Sequence, residues 1–265
     1  MTLPVTLDEA VAALAAVPAA VPVAGGTDLM SSVNAGQLRP AALVGLGRIS
    51  EIRGWQYQDG HALLGAGLTH ARMGRPDFAA LIPALAAAAR AAGPPQIRNA
   101  GTLGGNIASA APAGDSLPVL AALEAVLIIA GPGGTRREIP VSHLLAGMEM
   151  LAPGELIGFV RVPLLHAPQV FLKATGRTGP GRATASVALV LDPARAPDGF
   201  ADGQHGGDSA IPHGIRIVVD HAVGELGSSA DYAQDARGPI PCTAKIRYLR
   251  ARPQAGHDDV ADHSR

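Results

Sequence analysis

Residues 97–108 read IRNAGTLGGNIA and combine three glycines with no lysine. Glycine has no β-carbon, so a flat or phosphorylated ligand can approach such a backbone closely. A second glycine turn, at residues 23–29, follows a short apolar run upstream. We call residues 23–29 the first glycine segment and residues 97–108 the second glycine segment. Two such segments in a chain of 265 residues predict a dinucleotide held between them.

Neither segment matches a common nucleotide motif. The chain contains no Gly-x-x-x-x-Gly-Lys-Ser/Thr sequence and no Gly-x-Gly-x-x-Gly between a strand and a helix. A diphosphate would therefore be bound by backbone amides, from Ala24 to Asp28 and from Thr102 to Asn106, with the Thr27 hydroxyl as an additional donor. Each segment taken alone is also compatible with an ordinary glycine turn.

The net charge and the cysteine content exclude several kinds of partner and cofactor. The net charge is −1 and charged residues make up only 16% of the chain, so we expect neither nucleic acid nor a membrane surface as partner. The single cysteine, Cys242, cannot ligate an iron–sulfur cluster, which takes about four thiolates. The histidines show no metal-ligand spacing, and no catalytic Ser–His–Asp or Cys–His arrangement is recognisable. We predict no metal site and no catalytic side chain.

The apolar segment at residues 117–130 is interrupted by Pro118 and Glu124 and is too short to span a bilayer. The first residues lack the basic stretch and apolar run of a signal peptide, so we expect a cytoplasmic protein. Hydrophobic spacing predicts helices at residues 7–16 and 81–92, and apolar runs predict several short strands.

Five stretches together resemble the FAD-binding (medium) subunits of the molybdenum hydroxylases, a family that includes xanthine dehydrogenase and carbon monoxide dehydrogenase. They are AGGTDL at 24–29, IRNAGTLGGN at 97–106, PAGDSLPVL at 112–120, PGELI at 153–157 and FLKATGR at 171–177. Their order and spacing follow the family over residues 3–192.

The resemblance implies an α+β fold. A two-subdomain FAD-binding domain of the PCMH type would cover residues 1–166, with the subdomain boundary near residues 55–60. Residues 167–250 would form a small α+β C-terminal domain like that of the carbon monoxide dehydrogenase flavoprotein. This domain would be degenerate or incomplete here, and its sequence is atypical after residue 192. Residues 251–265 would be a disordered tail.

The resemblance also implies the cofactor-binding residues, one glycine segment from each subdomain gripping the FAD diphosphate. Asp115 would bond a hydroxyl of the cofactor, Ile157 would line the adenine side, and Lys173 would lie near the flavin. The full set is Val23, Ala24, Gly25, Gly26, Thr27, Asp28, Leu29, Thr102, Leu103, Gly104, Gly105, Asn106, Asp115, Ile157 and Lys173.

Structural alternatives exist for three of these residues. Asp28 and Asp115 each precede a predicted helical turn and could serve as its N-cap. Lys173 on a strand could be a surface lysine. The histidines His61, His70, His143 and His166 are interpreted as structural.

The resemblance implies an electron-transfer role within a complex. A large partner would carry the molybdenum cofactor and a small one the 2Fe–2S clusters, and electrons would pass through FAD to NAD or another acceptor. We expect xanthine dehydrogenase, with carbon monoxide dehydrogenase or another aldehyde or heterocycle dehydrogenase as the alternative. A stand-alone FAD oxidase of the same superfamily, or an assembly subunit without FAD, are two further hypotheses.

Residues 193–265 depart from the family pattern and are rich in Ala, Arg, Pro, Gly, Asp and His. Genuine divergence is one explanation. A shifted reading frame in GC-rich DNA is the other, and the one we favour. Translation of the neighbouring frames near codon 193 tests it, since a family-like continuation should then emerge.

Overall fold

A computed structural model describes residues 1–17, 19–109, 114–175, 183–191, 215–221 and 247–249. The predicted tail at residues 251–265 lies outside the described residues. In chain order the helices and strands are α1 (Leu7–Ala16), β1 (Ala20–Val23), α2 (Leu29–Asn34), β2 (Ala42–Gly45), β3 (Trp55–Gln58), β4 (His61–Gly65), α3 (His70–Met73), α4 (Pro76–Ala79), α5 (Pro83–Ala91), α6 (Pro95–Ala100), α7 (Leu103–Ser109), α8 (Ser116–Ala122), β5 (Val126–Ala130), β6 (Arg136–Pro140), α9 (Val141–Leu145), β7 (Leu156–Pro163), β8 (Gln169–Thr175), β9 (Ala183–Leu191), β10 (Ile215–His221) and β11 (Arg247–Leu249).

The strands form three sheets. β1 and β2 pair in parallel, β3-β4-β7-β5-β6 form an antiparallel five-stranded sheet, and β11-β10-β9-β8 form a four-stranded one. The mixed helix and strand composition confirms the predicted α+β class. No helix in the described ranges is both long and apolar enough to cross a membrane.

The apolar side chains pack into two clusters. The smaller cluster joins the buried face of α1 to β2 and to residues 49 and 52, and it also contacts the ends of β5 and β7. The larger cluster lies between the five-stranded sheet and helices α5, α7 and α8, with Ala188 and Val190 of β9 packed into it. A small N-terminal unit, residues 1–52, therefore packs on a larger unit, and the smaller cluster includes Ala130 and Leu156 of that larger unit.

α1 begins where the sequence predicts. The Thr6 hydroxyl accepts from the Glu9 N–H at 3.2 Å, and the Glu9 carboxylate accepts from the Val5 N–H at 2.9 Å. These bonds satisfy amides that a helix start leaves without partners. The apolar side of α1 then closes the small core.

The second glycine segment is mostly helical, with only a short turn at its centre. α6 ends at Ala100, residues 101 and 102 make a short turn, and α7 begins at Leu103. The Thr102 hydroxyl accepts from the Gly105 N–H at 3.1 Å, as an N-cap does. A β-carbon at Gly104 would lie 2.6 Å from Cβ of Ala66. Glycine is therefore needed there for close packing of α7 on the chain after β4.

Candidate functional site

A cavity of about 740 Å³ opens between the small unit and the larger one, a volume within the range of small-molecule sites. The first glycine segment forms one wall. The other wall comes from α3, from the start of α6 and from the turn that leads into α7. The lining residues are Val21 to Leu29, Ser31, Ser32, Leu38, His70, Ala92, Gly93, Pro94, Ile97, Gly101, Thr102, Gly105, Asn106, Ala108, Ser109 and Asp115.

The first glycine segment presents unpaired backbone donors. Within the described residues, the N–H groups of residues 25–28 donate no hydrogen bond. Gly26 has φ +68°, which a side chain disfavours. Asp28 stands at the N-cap position of α2, as the structural alternative predicts, but its side chain makes no cap bond. Four neighbouring N–H groups on a cavity wall form a concave site suited to an anion.

Gly25 brings the two walls together. A β-carbon there would lie 2.0 Å from the carbonyl oxygen of Ala100 and 3.0 Å from Cα of Gly101. Real β-carbons do not approach backbone atoms so closely, so only glycine fits. The first glycine segment thus rests directly on the end of α6.

The second glycine segment contributes differently from the prediction. The N–H groups of Leu103 and Gly104 donate to the carbonyls of Leu68 and Ala66 at 2.8 and 2.7 Å. The Gly105 N–H is bonded to the Thr102 hydroxyl, and the Asn106 N–H to the Thr102 carbonyl. These four amides hold α7 in place and are not free donors to a ligand.

Asp115 and Lys173 form a buried ion pair across the site. Lys173 Nζ lies 2.8 Å from Oδ2 of Asp115, and the two side chains are only 9% and 4% exposed. Nζ also donates to the Ala91 carbonyl at 3.1 Å. Asp115 stands at the N-cap position of α8, but its side chain makes no cap bond. The surface alternative for Lys173 is wrong, because its side chain is buried.

The second carboxylate oxygen of Asp115 has no partner. Among the described residues, Oδ1 is a buried acceptor without a hydrogen bond. Burial raises the pKa of Asp115 above that of an ordinary aspartate, while Lys173 acts in the opposite direction. Because Asp115 borders the cavity, this acceptor without a partner would be close to a hydroxyl of a ligand bound there.

Four of the predicted residues do not line the cavity. Leu103 and Ile157 are buried in the larger core, Gly104 packs against Ala66, and Lys173 lies behind Asp115. Ile157 pairs with Ile129 in the centre of the five-stranded sheet, which is why its side chain points into the core. The remaining predicted residues all border the cavity.

Sequence reasoning missed His70, which lines the cavity at the start of α3 and is 5% exposed. Its Nδ1 has no hydrogen-bond partner in the part of the chain that is described. Burial lowers the pKa of His70 to about 4, with the charge of Asp28 opposing the shift. The only signal in the sequence was its position after the helix-capping Thr69.

Comparison with known proteins decides the family. Residues 1–165 match the family model described as the FAD binding domain in molybdopterin dehydrogenase. The chain belongs to this family. The matched region contains both glycine segments and Asp115, so the recognition from sequence and the expected cofactor, FAD, are confirmed at the level of the family.

Named relatives differ in what they act on. The chain is 32% identical to the carbon monoxide dehydrogenase medium chain of Hydrogenophaga pseudoflava over 63% of this chain and 60% of the relative. It is 35% identical to the xanthine dehydrogenase FAD-binding subunit of Escherichia coli O157:H7 over 54% of this chain and 49% of that subunit. The matches thus span about half to three fifths of these relatives.

The fold agrees with a solved structure. A structure of carbon monoxide dehydrogenase from Hydrogenophaga pseudoflava, lacking the Mo-pyranopterin moiety, superposes with a TM-score of 0.70 at 29% identity. The superposition covers 82% of this chain and 72% of the other.

Proposed function

We propose that this chain is the FAD-carrying electron-transfer subunit of a multi-subunit molybdenum hydroxylase. One observation carries the proposal: on one wall of the cavity the N–H groups of residues 25–28 donate to nothing among the described residues, and the other wall includes Asp115, whose Oδ1 has no partner in the same part of the chain. Backbone N–H groups suit a diphosphate, and a buried carboxylate oxygen suits a sugar or ribityl hydroxyl. The donors of the first glycine segment and the acceptor on Asp115 therefore both fit FAD.

The two walls have different roles in this proposal. The first glycine segment binds the diphosphate, with the Thr27 hydroxyl as an additional donor. The second glycine segment supplies shape, since its amides hold α7 and its residues Thr102, Gly105 and Asn106 border the cavity. Lys173 holds Asp115 in position, and Ile157 supports β7 from within the core.

Bound FAD supplies the redox chemistry, accepting electrons and passing them on. The chain's own residues bind the cofactor, orient it and keep part of it away from water. A large molybdenum subunit and a small 2Fe–2S subunit are the proposed partners, with NAD or another acceptor receiving the electrons. The cytoplasmic location stays a prediction.

The proposed substrate class is that of xanthine dehydrogenase. The similarity to a xanthine dehydrogenase FAD-binding subunit supports it, and the similarity to carbon monoxide dehydrogenase supports the alternative. The substrate itself would be chosen on the molybdenum subunit. Copurification of the tagged chain with its partners, followed by assays with xanthine and with carbon monoxide, distinguishes the two.

The test of the proposed function is the flavin content of the full-length chain. We expect about one FAD per chain, identified by chromatography after denaturation. Asp115→Ala should lower the FAD content sharply, whereas Asp8→Ala, at an exposed position on α1, should leave it unchanged. A folded chain that neither contains FAD nor binds added FAD would contradict the proposal and favour an assembly subunit.

The stand-alone oxidase makes a different prediction. If the chain acts alone, xanthine or another small organic substrate should reduce the bound flavin in the absence of partners. As an electron-transfer subunit, it should show reduction by such a substrate only when the molybdenum and 2Fe–2S subunits are present. Anaerobic spectra of the isolated chain and of the complex separate these cases.

A further inference from the structure

His70 occupies the junction between the two walls of the cavity. Its backbone N–H donates to the Gly101 carbonyl at 3.0 Å. A β-carbon on Gly101 would lie 3.0 Å from Cδ2 and 3.5 Å from Nε2 of His70, so the imidazole stacks against this glycine. Gly101 in turn abuts Gly25. The imidazole is thus one residue away from the unpaired amides of the first glycine segment.

The two ring nitrogens have different surroundings. Nδ1 is enclosed and has no hydrogen-bond partner among the described residues, whereas Nε2 is not enclosed in this way. Nε2 is therefore the nitrogen through which His70 lines the cavity. The tautomer with its hydrogen on Nε2 avoids burying an unpaired N–H at Nδ1, and it directs a donor into the cavity.

The charge state agrees with this arrangement. Burial holds the pKa of His70 near 4, so the imidazole is neutral at pH 7. Among the charged groups on the surrounding elements, Asp28 borders the same cavity and favours the charged imidazole. The other charged side chains there have partners: Arg72 pairs with Asp77, Arg90 donates to the Gly74 carbonyl, Arg98 donates to the Gly93 carbonyl, and Asp115 pairs with Lys173.

We propose that His70 is a further cofactor-binding residue whose neutral imidazole donates its Nε2–H to the diphosphate held by the first glycine segment. The inference rests on the proposed function, because it requires FAD in this cavity. It adds a side-chain donor, from the larger unit, to a diphosphate site otherwise built from amides of the small unit. The diphosphate would then be held from both sides.

The test compares FAD affinity in the full-length chain for His70→Gln and His70→Met. Glutamine places an amide donor close to the position of Nε2, and methionine has a similar size but no donor. We expect His70→Met to weaken FAD binding on the order of 10- to 100-fold, the effect of losing a hydrogen bond to a charged group. His70→Gln should recover most of this loss. The matched control is His166→Met at an exposed position, which should bind FAD like the wild type.

Phosphorus NMR of bound FAD locates the contact. The diphosphate resonances should shift in His70→Met relative to the wild type and return toward it in His70→Gln. Nitrogen-15 NMR of histidine-labelled wild type gives a second readout that needs no variant. It should show a neutral Nε2–H tautomer for His70 between pH 6 and 8, with a proton that shifts when FAD is added.

The outcomes separate this inference from the proposed function. A wild-type chain that binds no FAD overturns the proposed function itself. A wild-type chain that binds FAD, with Gln and Met variants of equal affinity or an unchanged His70 resonance, overturns only the role of His70. If His70→Met loses affinity for FAD but the phosphorus resonances do not shift, the role of His70 is also overturned, because the imidazole would then act only through packing.

Discussion

Removal of the Lys173 ammonium should destabilise the chain through the aspartate it leaves behind. In Lys173→Met, the 4% exposed Asp115 loses its hydrogen-bonded cation, and the Ala91 carbonyl loses a donor. Removing one partner of a buried ion pair costs about 3–5 kcal/mol of unfolding free energy. We expect a value near 3 kcal/mol, because Asp115 borders a cavity from which water can partly solvate it.

The assay is urea denaturation followed by circular dichroism, for the wild type, Lys173→Met, Asp115→Asn and the double variant. The double variant should be less destabilised than the sum of the single ones, by about 1–3 kcal/mol, because neither buried charge is then left alone. Arg136→Met is the control. It breaks an ion pair with Asp8 whose side chains are 44% and 71% exposed, and should change the midpoint little.

Two results would refute the reasoning. If Lys173→Met lowers the free energy of unfolding by less than about 1 kcal/mol, the ion pair behaves like a solvent-exposed one, and Lys173 does not compensate a buried charge on Asp115. If the two single effects add without coupling, Lys173 and Asp115 do not act on one another. Either result would also remove the argument that Lys173 positions Asp115 for the cofactor.

Three further predictions concern the cavity walls. Gly25→Ala should lower FAD affinity at least about tenfold, because the new β-carbon would collide with the Ala100 carbonyl. Gly47→Ala is the control, since the space around Gly47 is open and FAD affinity should not change. Equilibrium dialysis measures both affinities. Gly104→Ala should cost about 1–3 kcal/mol of unfolding free energy, as overpacking does, and calorimetry measures it. The pKa of His70 is about 4 in the folded chain, so as the pH falls the unfolded chain protonates this histidine before the folded chain does. The free energy of unfolding should therefore fall by up to about 3 kcal/mol between pH 6.5 and pH 4. In urea titrations, His70→Met should reduce this dependence of stability on pH.

Local sequence patterns were sufficient to predict several of the helices and strands. The helix predicted at residues 7–16 is α1 with the same bounds, and the helix predicted at residues 81–92 contains α5. These elements depend on side-chain spacing, which is visible in the sequence. The hairpin β3–β4 was missed, although its Asp59–Gly60 turn, with both residues at positive φ, is a typical hairpin signal.

Long-range contacts explain what the pattern could not predict. Two glycines in a row disfavour a helix, but the carbonyls of Ala66 and Leu68 bind the first amides of α7 and hold it. The pairing of Asp115 with Lys173 joins residues 58 positions apart, and no local spacing encodes it. His70 carries no motif, since its importance comes only from the segments that enclose it.

The division of the cavity between the small unit and the larger one has a consequence for unfolding. The unpaired amides belong to the small unit, whereas Asp115 and His70 belong to the larger one. A ligand that bonds to both acts as a cross-link, and binding to the native state adds to its stability by mass action. With ligand, the two units should melt in one cooperative transition. Without it, the small unit should open first and become the preferred site of proteolysis.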